Sequence, residues 1–178
     1  MQPMPTIAVL SSNIALSAVL AATLRQDPKW RVREFRDARA VATYMRVSPI
    51  SVLVGDYDLV DGTTADLAER IRIQGSVVSS DVQIIVLTRT IDQDLRRRCV
   101  RAGVDEIIVK PMSPLYLEER VRTRLGDGPR GYVRSKYVGP DRRDRLHLLD
   151  PRPNPIERRF DNVIPFRSQT TLELRPDA

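Results

Sequence analysis

"GVDEIIVKPMSPLYLEERV", residues 103–121, holds the end of one element, a whole second and the start of a third. Gly103 follows a helix-periodic run and supplies the left-handed position that closes a helix. The segment EIIV (106–109) has the length and branched content of a strand. Lys110-Pro111 stops it. Ser113 then suits an N-cap, with Pro114 at the first helical position, and "LYLEERVRTRL" continues as a helix before Gly126.

Toward the amino terminus the same alternation repeats. "VQIIVLT" is a strand, and Asp92 starts the helix "QDLRRRCVRA" that Gly103 ends. "ISVLVG" is a continuous apolar strand ending at Asp56, the pattern of a strand covered on both faces. A turn through Asp61-Gly62 leads to Thr63 and the helix "TADLAERIRI". "TIAVL" is the first strand, and Asn13 caps "IALSAVLAATLRQ" up to Pro28. "WRVREF" alternates like an edge strand, and Asp37 caps "ARAVATYMRV", which stops before Pro49.

Five strands alternating with five helices predict an α/β fold, a doubly wound parallel sheet with right-handed crossovers. Ligands of such sheets sit beyond the carboxyl ends of the strands. Those ends carry Ser11 and Ser12, Asp56, Thr88 and Lys110. A carboxylate, a hydroxyl and an ammonium on one rim suit phosphoryl chemistry. Asp56 is then the candidate nucleophile, Lys110 pairs with the added charge, and Thr88 donates to a phosphoryl oxygen. A plain ion pair between Asp56 and Lys110 is the structural alternative.

These segments resemble the receiver domain of two-component response regulators, which has a flavodoxin-like (βα)5 fold. "GVDEIIVKPMSPLYLEERV" is similar to the family's Gly-x-Asp-Asp/Glu, Lys-Pro and Ser-Pro segment, "PISVLVGD" to its acceptor strand, and "VQIIVLT" to the strand of its switch hydroxyl. The resemblance spans roughly residues 5 to 125 and implies a cis Lys110-Pro111 bond, an acceptor at Asp56 and a switch hydroxyl at Thr88. It also implies two acids for Mg²⁺ at the end of the first strand, where this chain has Ser11 and Ser12. Mg²⁺ asks for hard oxygen ligands, and a hydroxyl brings no formal charge. Asp58 is the remaining candidate to complete this degenerate pocket, so at most weak Mg²⁺ binding is expected. Arg89 replaces the small residue usual after the switch hydroxyl and is expected over the rim, paired with Asp56 or a phosphoryl group. Ile107 replaces the coupling aromatic of the fifth strand. The expectation is a pseudo-receiver that signals by docking, with weak or no phosphorylation of Asp56. A working phosphoacceptor without a DNA-binding output domain is the alternative. The implied partners are a histidine kinase or a downstream effector, with a homodimer as a further option. The docking face is expected at Arg96, Arg97, Arg101 and Ile107, extended by Arg120, Arg122 and Arg124.

Composition narrows the rest. A net charge of +6 is spread, with 18 basic against 15 acidic residues up to Gly126 and eleven against eight after it. That interleaving reads as a solvated surface rather than a nucleic-acid stripe. One cysteine, Cys99, excludes an internal disulfide framework and is expected buried; one histidine, His147, argues against histidine-based metal sites. No enzyme is expected, since neither a Gly-rich phosphate loop nor a zinc spacing is present. The apolar stretch Thr6 to Leu24 has no preceding Lys or Arg and is broken by Ser-Ser-Asn, so a buried strand and helix explain it better than a leader or a membrane span. A cytoplasmic, membrane-free protein is the expectation.

After Gly126 the pattern changes. Seven of the 13 prolines lie in residues 127–178, and periodicity fades. The expected division is a receiver-like domain at 1–126 and a Pro/Arg-rich tail at 127–178, irregular or loosely docked. "GPDRRDR" and "NPIERRFD" echo each other, placing Arg142, Arg143, Arg158 and Arg159 as candidate short motifs for an acidic group. Nucleic-acid binding through these arginines is the reading of another class.

Overall fold

The computed structural model describes residues 4–73, 81–126, 132–134 and 138–140, the last two ribbons by backbone alone. Five parallel strands form the central sheet: β1 (Thr6–Leu10), β2 (Arg31–Phe35), β3 (Val52–Asp56), β4 (Gln83–Thr88) and β5 (Glu106–Val109). Their spatial order is β2-β1-β3-β4-β5. The order reverses between β1 and β3, which opens the crevice at their carboxyl ends. β2 is an edge strand, as its alternation implies.

Side chains alternate across each strand, so each strand feeds two cores. Ile7, Val9, Val54, Ile85 and Ile108 pack with Leu20 and Leu24 of α1 (Ile14–Leu24) and with Leu117 and Val121 of α5 (Pro114–Gly126). Ala8, Leu10, Leu53, Ile84 and Val86 pack on the other face with α2 (Ala38–Tyr44), α3 (Thr64–Ile73) and α4 (Gln93–Arg101). Cys99 lies in this second core, and burial there pushes its thiol up to about 12. Trp30 closes the edge of the first core beneath the Arg122 guanidinium, 5.3 Å from the ring centroid.

Helix starts follow local chemistry. Asn13, Asp37, Asp92 and Ser113 each accept the backbone N–H three residues on. Thr63 and Asp66 exchange reciprocal bonds at the start of α3. Two helix ends come earlier than the sequence patterns suggest. α1 ends at Leu24, and α2 ends at Tyr44, where Ser48 N–H turns back to the Tyr44 carbonyl. Arg46 and Val47 are exposed and have no core contact to extend the helix.

α1 carries no charged residue, and its outer side leaves Ile14 61% and Val19 52% exposed. After α5 the chain forms a short antiparallel ribbon, Tyr132–Arg134 with Val138–Pro140, and its second strand runs beside α3 and α4. These six residues are the described part of 127–178. His147 and the motifs at Arg142, Arg143, Arg158 and Arg159 lie outside the described residues. No helix among the described residues is long and apolar enough to cross a membrane.

Candidate functional site

β3 delivers Asp56 to the crevice because Gly55 lets the first turn of α3 approach closely. A Cβ on Gly55 would meet Thr64 Oγ1 at 2.7 Å. Thr64, fully buried, donates its hydroxyl to the Asp56 backbone carbonyl. Tyr57 N–H bonds the Leu87 carbonyl at 2.7 Å, and Lys110 N–H bonds the Thr88 carbonyl at 2.7 Å, so the ends of β3, β4 and β5 are stitched in register. The Lys110-Pro111 bond is cis.

On this frame both carboxylate oxygens of Asp56 are engaged. Lys110 Nζ donates to Oδ1 at 2.6 Å, and Ser11 Oγ donates to Oδ2. Ser11 is buried, and its Oγ also accepts the Asn13 N–H at 3.1 Å. The helix entry therefore supplies a donor to the serine and leaves the serine's own hydrogen for Asp56. Thr64 and Asn13 were missed as supports of this site. The small residue Gly55 beside the strand-end acid was the available signal for the first.

The other expected members sit differently. Ser12 and Asp58 are exposed and stand outside this network. Thr88 is buried at the rim, but its hydroxyl donates to the Thr90 carbonyl at 2.7 Å. Arg89 is exposed and forms no ion pair among the described residues, contrary to the expected pairing with Asp56. The reason is local: Asp56 already has a partner on each oxygen. Ile107 is half-buried against the core that contains Cys99.

The expected arginine face divides. Arg97 and Arg101 of α4 are exposed, Arg96 is half-buried, and Arg98 pairs with Asp66 at 2.6 Å. Along α5, of the three arginines expected to extend this face, Arg122 is the exposed one. Arg124 is buried and bonds Glu106 Oε2 through Nε and Nη2, while Arg120 Nε holds Oε1 of the same residue at 2.5 Å. Arg122 pairs with Glu118 at 2.8 Å and Asp27 at 3.3 Å. An amphipathic face placed two of these three guanidinia against the start of β5 rather than toward a partner. Nearby, Asp105 accepts from Ile84 N–H at 2.8 Å and from the buried Arg72 at 3.2 Å.

Receiver domains bind Mg²⁺ when competent for phosphorylation, and this rim does not fit that ion. It holds one carboxylate, already bound by an ammonium and a hydroxyl. No group of three or more His, Cys, Asp or Glu among the described residues could hold a metal. Octahedral oxygen coordination has too few anionic donors here.

Known proteins place the chain. The cyclic di-GMP phosphodiesterase response regulator RpfG of Xanthomonas campestris pv. campestris (strain 8004) is 28% identical over 98 residues, 55% of this chain and 25% of that protein. The chain thus spans about a quarter of the length of that curated relative. The non-phosphorylated HemR receiver domain from Leptospira biflexa matches 68% of this chain and 94% of its own, at 26% identity and a TM-score of 0.60. The CheY-like receiver domain protein from Methanospirillum hungatei JF-1 matches 70% and 96%, at 17% identity and a TM-score of 0.63, a likeness of fold. The response regulator receiver domain model matches residues 7–122, the span from β1 through most of α5. With that match, the strand order and the Asp56–Lys110 rim, the chain belongs to the response regulator receiver domain family, a family of two-component signalling modules.

Proposed function

We propose that this chain is a pseudo-receiver, a signalling module that acts by docking to a partner protein with weak or no phosphorylation of Asp56. The partner class is a histidine kinase or a downstream effector. The observation that carries the reading is the engagement of both Asp56 oxygens by Ser11 and Lys110 without a second acid nearby. Phosphoryl transfer depends on positioning and on neutralising the charge of the incoming group. A nucleophile whose oxygens are both hydrogen-bonded, with no second acid beside it to recruit a divalent cation, is poorly prepared for it.

The working division remains a receiver-like domain at 1–126 and a tail at 127–178. Two surfaces suit docking: the α4 flank with Arg96, Arg97 and Arg101, and the uncharged outer side of α1. The first adjoins the chain's own ribbon, which runs beside α3 and α4. Partner capture should survive Asp56→Ala. Reversal of Arg96, Arg97 and Arg101 to Glu, compared with Val19→Glu, tells which surface is used.

The deciding experiment is incubation with a small phosphodonor and Mg²⁺ followed by intact mass. The docking reading expects no stoichiometric adduct. An adduct that disappears in Asp56→Asn would instead establish the second reading, a phosphoacceptor, which the 2.6 Å contact between Lys110 and Asp56 favours.

A further inference from the structure

We propose that Ser11 takes the place of a divalent cation, so that Asp56, Ser11 and Lys110 form a metal-independent clamp that a single Ser11→Asp substitution would convert into a cation site. Charge is the first argument. Asp56 and Lys110 together are neutral, and a divalent ion entering a neutral pair would meet the Lys110 ammonium without a compensating anion. Of the acids on adjacent segments, Asp58 is exposed outside the network and three others hold partners of their own. Asp61 accepts Ala38 and Arg39 N–H at the start of α2, Asp66 holds Thr63 and Arg98, and Glu34 holds Ser17 and Arg25.

Geometry is the second argument. Ser11 is buried and hydrogen-bonded directly to Asp56 Oδ2, so the side chain of residue 11 sits against the Asp56 carboxylate. Its hydrogen is directed by the Asn13 N–H on the same oxygen. A carboxylate at position 11 would lie against that of Asp56 and add the anionic oxygen that a divalent cation needs beside Lys110.

The test uses the full chain and Mn²⁺ as the probe, titrated by electron paramagnetic resonance, with melting in EDTA and in Mg²⁺ alongside. Wild-type protein should show no saturable Mn²⁺ site and one melting temperature in both media. Ser11→Asp should bind one Mn²⁺ per chain at least about tenfold more tightly than wild type. That binding should vanish in Ser11→Asp/Asp56→Asn. A Ser11→Asp chain that folds only when Mn²⁺ is present would support the proposal equally. A Ser11→Asp chain that folds yet binds no Mn²⁺ would overturn it. So would a wild-type site abolished by Asp56→Asn, or a wild-type melting temperature raised by Mg²⁺. If Ser11→Asp folds in neither medium, Ser11→Ala decides: equal destabilisation in EDTA and Mg²⁺ supports the clamp, and rescue by Mg²⁺ refutes it. The inference rests on the pseudo-receiver reading of the rim, yet the two fail separately. A phosphoryl adduct formed without a bound cation defeats only that reading, whereas cation binding without an adduct defeats only the clamp.

Discussion

At the amino-terminal end of the sheet, Arg72 meets Asp105, and Arg120 and Arg124 meet Glu106; at the carboxyl end, Asp56 meets Ser11 and Lys110. Within the first set the Arg72–Asp105 pair is sealed, its side chains 1% and 0% exposed, while Arg120 stays 27% exposed over Glu106. Each of those acids binds elements to one another: Asp105 joins β4 to α3, and Glu106 joins β5 to α5. The rim pair is more open than Arg72–Asp105, with Lys110 22% exposed, and its neighbours Ser12, Asp58 and Arg89 face solvent. Buried charge therefore serves cohesion at one end. At the other it holds the carboxylate at the mouth of the crevice.

Breaking the sealed end should cost most. Asp105→Ala leaves the Ile84 N–H without its acceptor and the buried Arg72 charge with the Val82 and Gly103 carbonyls but no carboxylate, and a loss of about 3–5 kcal/mol is expected in urea unfolding. A loss under about 1 kcal/mol would erase the distinction between the two ends. Next comes the apolar body between them. The Cys99 thiol is raised in the folded state, so its contribution to stability is complete below pH 9 and is lost as pH rises toward about 12. The expected slope is at most about 1.4 kcal/mol per pH unit. Urea midpoints at two alkaline pH values, with Cys99→Ala as the flatter control, measure it. At pH 8 the native thiol should resist a disulfide reagent that labels the unfolded chain.

The frame of the rim is third. Gly55→Ala drives a methyl into Thr64 and should cost about 1–3 kcal/mol, non-additively with Thr64→Ala, in a double-mutant cycle. Lys110→Met should cost about 1–2 kcal/mol, clearly less than Asp105→Ala, because Asp56 keeps Ser11 and some contact with water. The smallest effect belongs to the exposed pair of Arg98 and Asp66. Arg98→Ala should change stability by less than about 1 kcal/mol.

What the sequence made legible was local. Caps at Asn13, Asp37, Asp92 and Ser113 act on a backbone group three residues away, and Gly103 takes a φ of 79° at the end of α4. Apolar runs of strand length located the sheet, and the sheet delivered Asp56 and Lys110 to one rim. Directions of polar side chains were less legible. Arg124 reads as one more solvated arginine until β5 sets Glu106 beneath it. Arg89 sits next to the rim in sequence but finds Asp56 occupied. The role of Ser11 depends on a carboxylate 45 positions away, which pattern alone does not encode.

α1 has one further consequence. Every other helix among the described residues carries arginine, whereas α1 carries no charge and exposes Ile14 and Val19. A protein seated there would bury apolar surface almost exclusively. Calorimetry would then show a negative heat-capacity change on association, with an affinity nearly indifferent to ionic strength.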